Sequence, residues 1–201
     1  MYVKIKKGGV FIMSRVEMKM NAKKQISGKI GLMFVVSLII GVVVGVLNLI
    51  PVVGSIAGSL LTFCFSLSLC IMYLKITREE DVEIKDAFSG FNNAVSAIIL
   101  GILTGVYTFL WTLLFIIPGI IKAYSYSMGT YILADNPDMT ASECIAKSCE
   151  IMKGHKMELF ILHLSFIPWF LLCGITFGLA YIYVVPYMSA TVANFYNSIK
   201  E

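Results

Sequence analysis

The chain has 201 residues, of which 58% are hydrophobic and only 14% charged, and its mean hydropathy is +0.85. Soluble domains carry about 25% charged residues, so this composition leaves too little polar surface for a soluble fold and points to one helical membrane bundle. The formal charge of +4 is uneven: residues 1–29 hold eight Lys/Arg and one Glu, while the remainder is net −3. That excludes a nucleic-acid reading and marks a basic cytoplasmic segment ahead of a hydrophobic span.

Residues 1–12 differ in character from the rest of the chain. Ser14 and Glu17, just after Met13, have the spacing of a capping box, in which the two side chains satisfy each other's free backbone amides. A basic helix is predicted from there to about residue 27, and Met13 is the expected natural start. Residues 30–74 contain no charge. As one helix they would measure about 67 Å, against a hydrocarbon core of about 30 Å. The chain must therefore fold back, and Pro51 and Gly54 supply the turn, with spans at 30–50 and 54–74.

Residues 75–93 are polar and open with a second capping box, Thr77 and Glu80. A third span is predicted at 94–117, followed by a turn at Pro118-Gly119. Segment 119–135 is short for a crossing and carries Lys122. If it crosses there are six spans, and if it lies on the surface there are five. Six spans put every charged connection on the side of the basic N-terminus, whereas five move Lys147, Lys153 and Lys156 outside, against the positive-inside bias. Six is the favoured reading, with Lys122 close enough to the outer surface to snorkel.

Residues 140–153 form an amphipathic helix with Ala141, Cys144, Ile145, Ser148, Cys149 and Met152 on one face. Glu143 and Lys147 lie on the other at the favourable i,i+4 spacing. Thr140 and Glu143 start the helix and Gly154 ends it. It is expected along the cytoplasmic interface, its apolar face at the acyl boundary. Final spans are predicted at 158–173 and 178–198, with a turn at 174–178 and a kink at Pro186. The capping boxes at Ser14, Thr77 and Thr140 recur every 63 residues. Each precedes a glycine (Gly28, Gly90, Gly154) and an uncharged hairpin, so a threefold repeat is expected.

Candidate sites are intramembrane polar residues. His163 is ionisable within a span, a functional candidate by default, although a neutral histidine hydrogen-bonded inside the bundle is the commoner case. Lys122 shares a face with Ser125, Tyr126 and Gly129. On the last span Pro186, Ala190, Ala193, Asn194 and Asn197 form one face that should point inward. Gly41 and Gly45 with Ser37, and Gly101 with Gly105, are small-residue packing signals. Asp135 and Asp138 flank a turn at Asn136-Pro137 and read as turn residues rather than a metal or catalytic pair. The five cysteines have no metal-ligand spacing, and no nucleotide-binding or hydrolase motif is present. Neither cofactor nor enzymatic activity is expected.

The segments WTLLFIIPGIIKAYSYSMGTYILADNP and SCEIMKGHKMELFILHLSFIPW resemble a bacterial integral-membrane family known only as domain of unknown function 975. VVPYMSATVANFY and MSRVEMKMNAKKQISGKIG fit the same family, so the likeness covers about residues 13–198. A looser likeness, through Pro118-Gly119-Ile120 and the helix end at Lys153-Gly154, links the chain to the membrane domains attached to some glycerophosphodiester phosphodiesterases. None of the catalytic part of those enzymes is present. The chain departs from the family pattern at His163 and Pro168, where an acidic residue and a glycine are expected. The resemblance implies a plasma-membrane protein and supplies no activity.

The expected architecture is all-α: a basic segment at 1–29 and a helical membrane domain at 30–199 with six spans in three hairpins and cytoplasmic amphipathic helices. The leading functional expectation is a non-enzymatic organiser of lipid or partner proteins at the cytoplasmic face, with a membrane protein or a second copy of the chain as partner. The alternative is a small transporter or permease component, for which Lys122, His163 and Asn194 are the candidate residues.

Overall fold

The computed structural model describes residues 5–7, 10–50 and 52–200, whose regular structure is helical apart from a short antiparallel ribbon of β1 (Ile5–Lys7) and β2 (Val10–Ile12). The helices are α1 (Arg15–Gln25), α2 (Ile30–Asn48), α3 (Val53–Thr77), a 3₁₀ segment (Ile84–Asn93), α4 (Ala94–Leu114), α5 (Ile116–Tyr126), α6 (Gly129–Asp135), α7 (Ala141–Ile151), α8 (Lys156–Leu164), α9 (Ile167–Ile175) and α10 (Tyr181–Ile199). Among the described residues, four helices are long and apolar enough to cross a membrane: Ile30–Asn48, Gly54–Thr77, Ile84–Leu114 and Lys156–Ile175. Pro51, assigned to the first turn, lies outside the described residues. Its neighbour Gly54 packs so closely on the Leu47 carbonyl that a side chain has no room there.

The segment expected as one span at 119–135 is two helices, and the reason is local. The Met128 amide donates to the Ser148 hydroxyl on α7 at 3.2 Å, and the same hydroxyl donates to the Ser125 carbonyl at 2.7 Å. This side chain diverts a backbone donor from the helical ladder, and α5 and α6, of 11 and 7 residues, are the result. The preceding turn also falls earlier than predicted. Phe115 is extended, and Pro118 sits in the first turn of α5, where its missing amide costs nothing. Gly119 instead permits close approach to Thr112 on α4. α10 runs through Pro186 as one 19-residue helix.

Helix ends gather at one polar end of the bundle. Arg78, just past α3, lies 2.7 Å from Asp135 at the end of α6, and Lys200, just past α10, lies 3.2 Å from the same carboxylate. The starts of α2 and α4 are there too: Lys29 donates to the Glu80 carbonyl at 2.9 Å and Asn93 to the Pro137 carbonyl at 3.2 Å. The chain thus divides into three units, each a short polar element, an outgoing helix and a helix returning to the polar end.

Their packing is cyclic. The 3₁₀ segment and α4 pack on α3, α7 packs on α6, α8 on α5, and α1 and α2 pack on α10. Each short element and outgoing helix therefore rests on the returning helix of the preceding unit, and the first unit closes on the last. Sequence positions repeat with it. Met18, Ala22 and Ile26 are buried 10, 6 and 2 residues before Gly28, and Cys144, Ser148 and Met152 are buried at the same distances before Gly154. Met33 and Val36 follow Gly28 by the intervals at which Leu159 and Leu162 follow Gly154, and all four are fully buried. Gly28 and Gly154 have φ +85° and +84°, the left-handed conformation in which a Cβ is strained. Gly90 does a different job: a side chain there would strike the Cys64 carbonyl and Ser68.

Four further sequence expectations are corrected. Thr77 opens no helix; it ends α3, its hydroxyl donating to the Leu74 carbonyl at 2.9 Å. The second capping box belongs to Glu83 and Asp86, so the motif is six residues later than the regular interval implied. The apolar face of α7 is covered by protein, with Cys144, Ile145 and Ser148 buried, because α6, α5 and α4 pack on it. Glu143 turns back to Thr140, its carboxylate 2.8 Å from both the Thr140 amide and hydroxyl, instead of pairing with Lys147. Finally, Gly41, Gly45 and Gly105 face open space, whereas Gly101 lies against the Phe63 ring.

Candidate functional site

The three returning helices enclose a cavity of about 420 Å³. α3 contributes Thr62, Ser66, Cys70 and Tyr73, the break between α5 and α6 contributes Ser127, Thr130 and Tyr131, and α10 contributes Ser189. Ser37 of α2 completes the polar lining, with Phe65, Leu69, Ile40 and Val185 between the hydroxyls, and none of the described residues that line it is charged. Ser37, Thr62 and Ser66 are exposed at the rim, while Tyr73 and Tyr131 are buried at the floor. The Ser37 and Thr62 hydroxyls donate to their own helix carbonyls at 2.8 Å, as such residues do in apolar helices. Their oxygens keep lone pairs able to accept from a ligand.

Below the rim lies a tyrosine layer, one ring from each returning helix. Tyr73 lies beside Ser189 and Tyr131 beside Cys70, so the layer bridges α3 to α10 and α6 to α3. The Tyr131 and Tyr196 rings stack with centroids 5.5 Å apart. Each tyrosine precedes the charged end of its helix by four or five residues: Tyr73 and Arg78, Tyr131 and Asp135, Tyr196 and Lys200.

A polar lattice closes the polar end. Asn194 donates to the Gln25 side-chain oxygen at 2.7 Å, and Gln25 donates to the Thr77 carbonyl at 2.9 Å. Asn197 donates to the Thr77 hydroxyl at 2.9 Å and accepts from Arg78 at 3.2 Å. Tyr196 donates to Asp135 at 3.2 Å. The lattice thus runs unbroken from α1 through α3 and α10 to α6. Its cations have a simple origin: three helix C-termini converge here, and their partial negative charges favour Arg78 and Lys200. Asp135 stands against that field and is held by those two cations.

The three predicted residues do not form one site. Asn194 is buried in the lattice. The His163 Nδ1 is 3.2 Å from the Tyr124 hydroxyl, between α8 and α5. Lys122 is half-buried, with its ammonium 4.8 Å from the centre of the Trp111 ring on α4. Lys122 keeps the spacing that puts it on one face of α5 with Ser125 and Tyr126, and the helix break separates only Gly129, the first residue of α6, from that run. Sequence reasoning missed the tyrosines, the cavity serines and the Arg78–Asp135 pair. One signal was present: an aspartate in the last turn of a helix opposes the macrodipole unless cations meet it.

In the short polar elements, the 3₁₀ segment, α7 and α1, charged groups stabilise the local structure. Burial raises the Asp86 carboxyl, but the Glu83 amide and Lys75, 2.8 Å away, outweigh it and hold the group below its ordinary value. The Thr140 backbone and hydroxyl lower Glu143. Burial, and then Arg15, lower Lys19, which donates to the Ser165 carbonyl at 3.2 Å and lies 4.4 Å over the Phe166 ring.

No curated protein and no solved structure matches this chain. The family described as protein of unknown function (DUF975) matches residues 13–125 and 113–201, and the chain belongs to it.

Proposed function

We propose that this chain is a six-crossing protein of the bacterial plasma membrane, with both termini cytoplasmic, whose central cavity holds a small uncharged polar solute as a permease component. One observation carries this reading: a hydroxyl-lined cavity without charges, closed on one side by stacked tyrosines and a polar lattice. Solvated hydroxyls in an apolar bundle suit a neutral ligand that exchanges hydrogen bonds for those it makes in water, and a charged ligand would lack a counter-charge. Six crossings are supported by the three uncharged turns, around Val52, Phe115 and Phe177, set against charged connections elsewhere. The reading requires no catalytic step.

Proteoliposomes test it directly. Uptake of labelled glycerol and urea should exceed that of empty vesicles, and Ser66→Leu with Ser189→Leu should abolish the excess. Equal uptake by protein and empty vesicles would overturn the carrier reading. For topology, a cysteine at position 138 should react with an impermeant reagent only after the membrane is opened, and labelling in intact cells would restore five spans.

A second reading, an organiser at the cytoplasmic face, is favoured by the exposed charged surfaces of α1 and α7. Arg15, Lys23 and Lys24 on one, and Glu143, Glu150 and Lys153 after it on the other, remain open to solvent. No uptake, together with one protein cross-linked in native membranes only when these faces are intact, would select it.

A further inference from the structure

A groove of about 320 Å³ lies between α5 and α8, away from the central cavity. Its walls are Ile117, Ile120, Ile121, Met157 and Phe160, and its one charged residue is Lys156. The neighbouring polar groups are already engaged. The Glu158 carboxylate is 3.0 Å from His155 Nδ1, the Tyr124 hydroxyl meets His163, and the Lys122 ammonium lies over Trp111. Among the described residues, Lys156 makes no ion pair, and exposed Lys153 just before Gly154 adds positive charge rather than cancelling it.

We infer that this groove binds an anionic phospholipid, one acyl chain along the α5–α8 walls and the phosphate on the Lys156 ammonium. The flanking helices α4 and α8–α9 lie within the stretches apolar enough to cross a membrane, so lipid is the solvent at their surface. An apolar channel with one uncompensated cation at its edge is complementary to an amphiphile with an anionic head. A zwitterionic lipid brings its own cation and gains less from Lys156. Inorganic phosphate has nothing to fill the apolar walls. The site is independent of the solute cavity.

The test uses the full chain in detergent, with thermal unfolding followed during titration with phosphatidylglycerol, phosphatidylcholine or inorganic phosphate. Phosphatidylglycerol should raise the midpoint above phosphatidylcholine, and phosphate alone should leave it unchanged. Lys156→Gln should erase the difference between the lipids, Lys156→Arg should retain it, and Lys147→Gln should leave it intact. Ile120→Trp, which fills the groove, should lower the response to phosphatidylglycerol with Lys156 still present. Equal shifts from the two lipids, a shift from phosphate alone, or a Lys156→Gln variant that still distinguishes the lipids would each overturn the assignment.

Discussion

Arg78 and Asp135 lie 57 residues apart in sequence, yet the guanidinium stands 2.7 Å from the carboxylate, joining the ends of α3 and α6. Lys200 brings α10 to the same carboxylate, so one acidic side chain ties all three returning helices. Asp135 is largely covered and its cations are about one-third exposed. Screening therefore reduces each pair, and the loss comes mostly from leaving two cations together. Asp135→Asn is expected to cost about 1–2 kcal/mol, seen as a lower thermal midpoint in detergent. Adding Arg78→Gln should restore part of that loss, and fully additive losses would show that the pair is not coupled.

The glycines separate into packed and open positions. Gly90→Ala forces a methyl group into the Cys64 carbonyl and Ser68, and overpacking of this kind costs about 1–3 kcal/mol. Gly41→Leu meets nothing and should stay within about 0.5 kcal/mol of the parent. Parallel unfolding curves for the two variants check this, and a Gly41→Leu loss as large as that of Gly90→Ala would mean that a second copy of the chain covers α2.

On α7 the direction of each side chain sets the cost. Ile145 is buried among protein side chains, so Ile145→Asp should cost about 3–5 kcal/mol and sharply lower protein yield. Lys147→Asp should cost under about 1 kcal/mol, since Lys147 is not paired with Glu143. Gly154→Ala should cost about 1 kcal/mol because φ is +84°. Amide exchange along α7 reports all three, and comparable protection in the Ile145→Asp variant would contradict the buried face.

The pH dependence of stability should carry a signature of Asp86. Its folded pKa lies below 3.8, so the proton binds less tightly in the folded state. The stabilisation is complete above the unfolded pKa of about 4 and disappears as pH falls through the lower folded value. Asp86→Asn should therefore be less stable than the parent at pH 7, with the difference shrinking below about pH 4. A constant difference down to about pH 3 would assign the effect to packing instead.

Much of the architecture is legible in the chain because lipid imposes a one-dimensional rule. A polar backbone cannot stay unpaired in hydrocarbon, so uncharged runs become helices and their lengths force turns. That is why α2 and α3 lie close to their predicted limits. Left-handed glycines at Gly28 and Gly154, and the cap at Thr140, are equally local and were readable. Misplacement of the second cap at Thr77 shows the limit of pattern reading: α3 continued because packing against α10 and the 3₁₀ segment outweighed a weak local start signal.

By itself, the sequence determined the membrane class, the basic end, the threefold rhythm and the inward face of α10 that carries Asn194. Only the tertiary structure decided that the repeat closes into a ring, that α7 spends its apolar face on protein, and that Ser148 breaks the fourth predicted span. It alone brought Tyr73, Tyr131 and Tyr196 together above Arg78, Asp135 and Lys200. The reason is physical. Periodicity and charge report how each segment meets its solvent, and those forces act along a helix. Cavities and ion pairs depend on which helix becomes the neighbour, and in lipid that choice rests on close packing and interhelical hydrogen bonds of about 0.6 kcal/mol each, whose partners lie far apart in sequence.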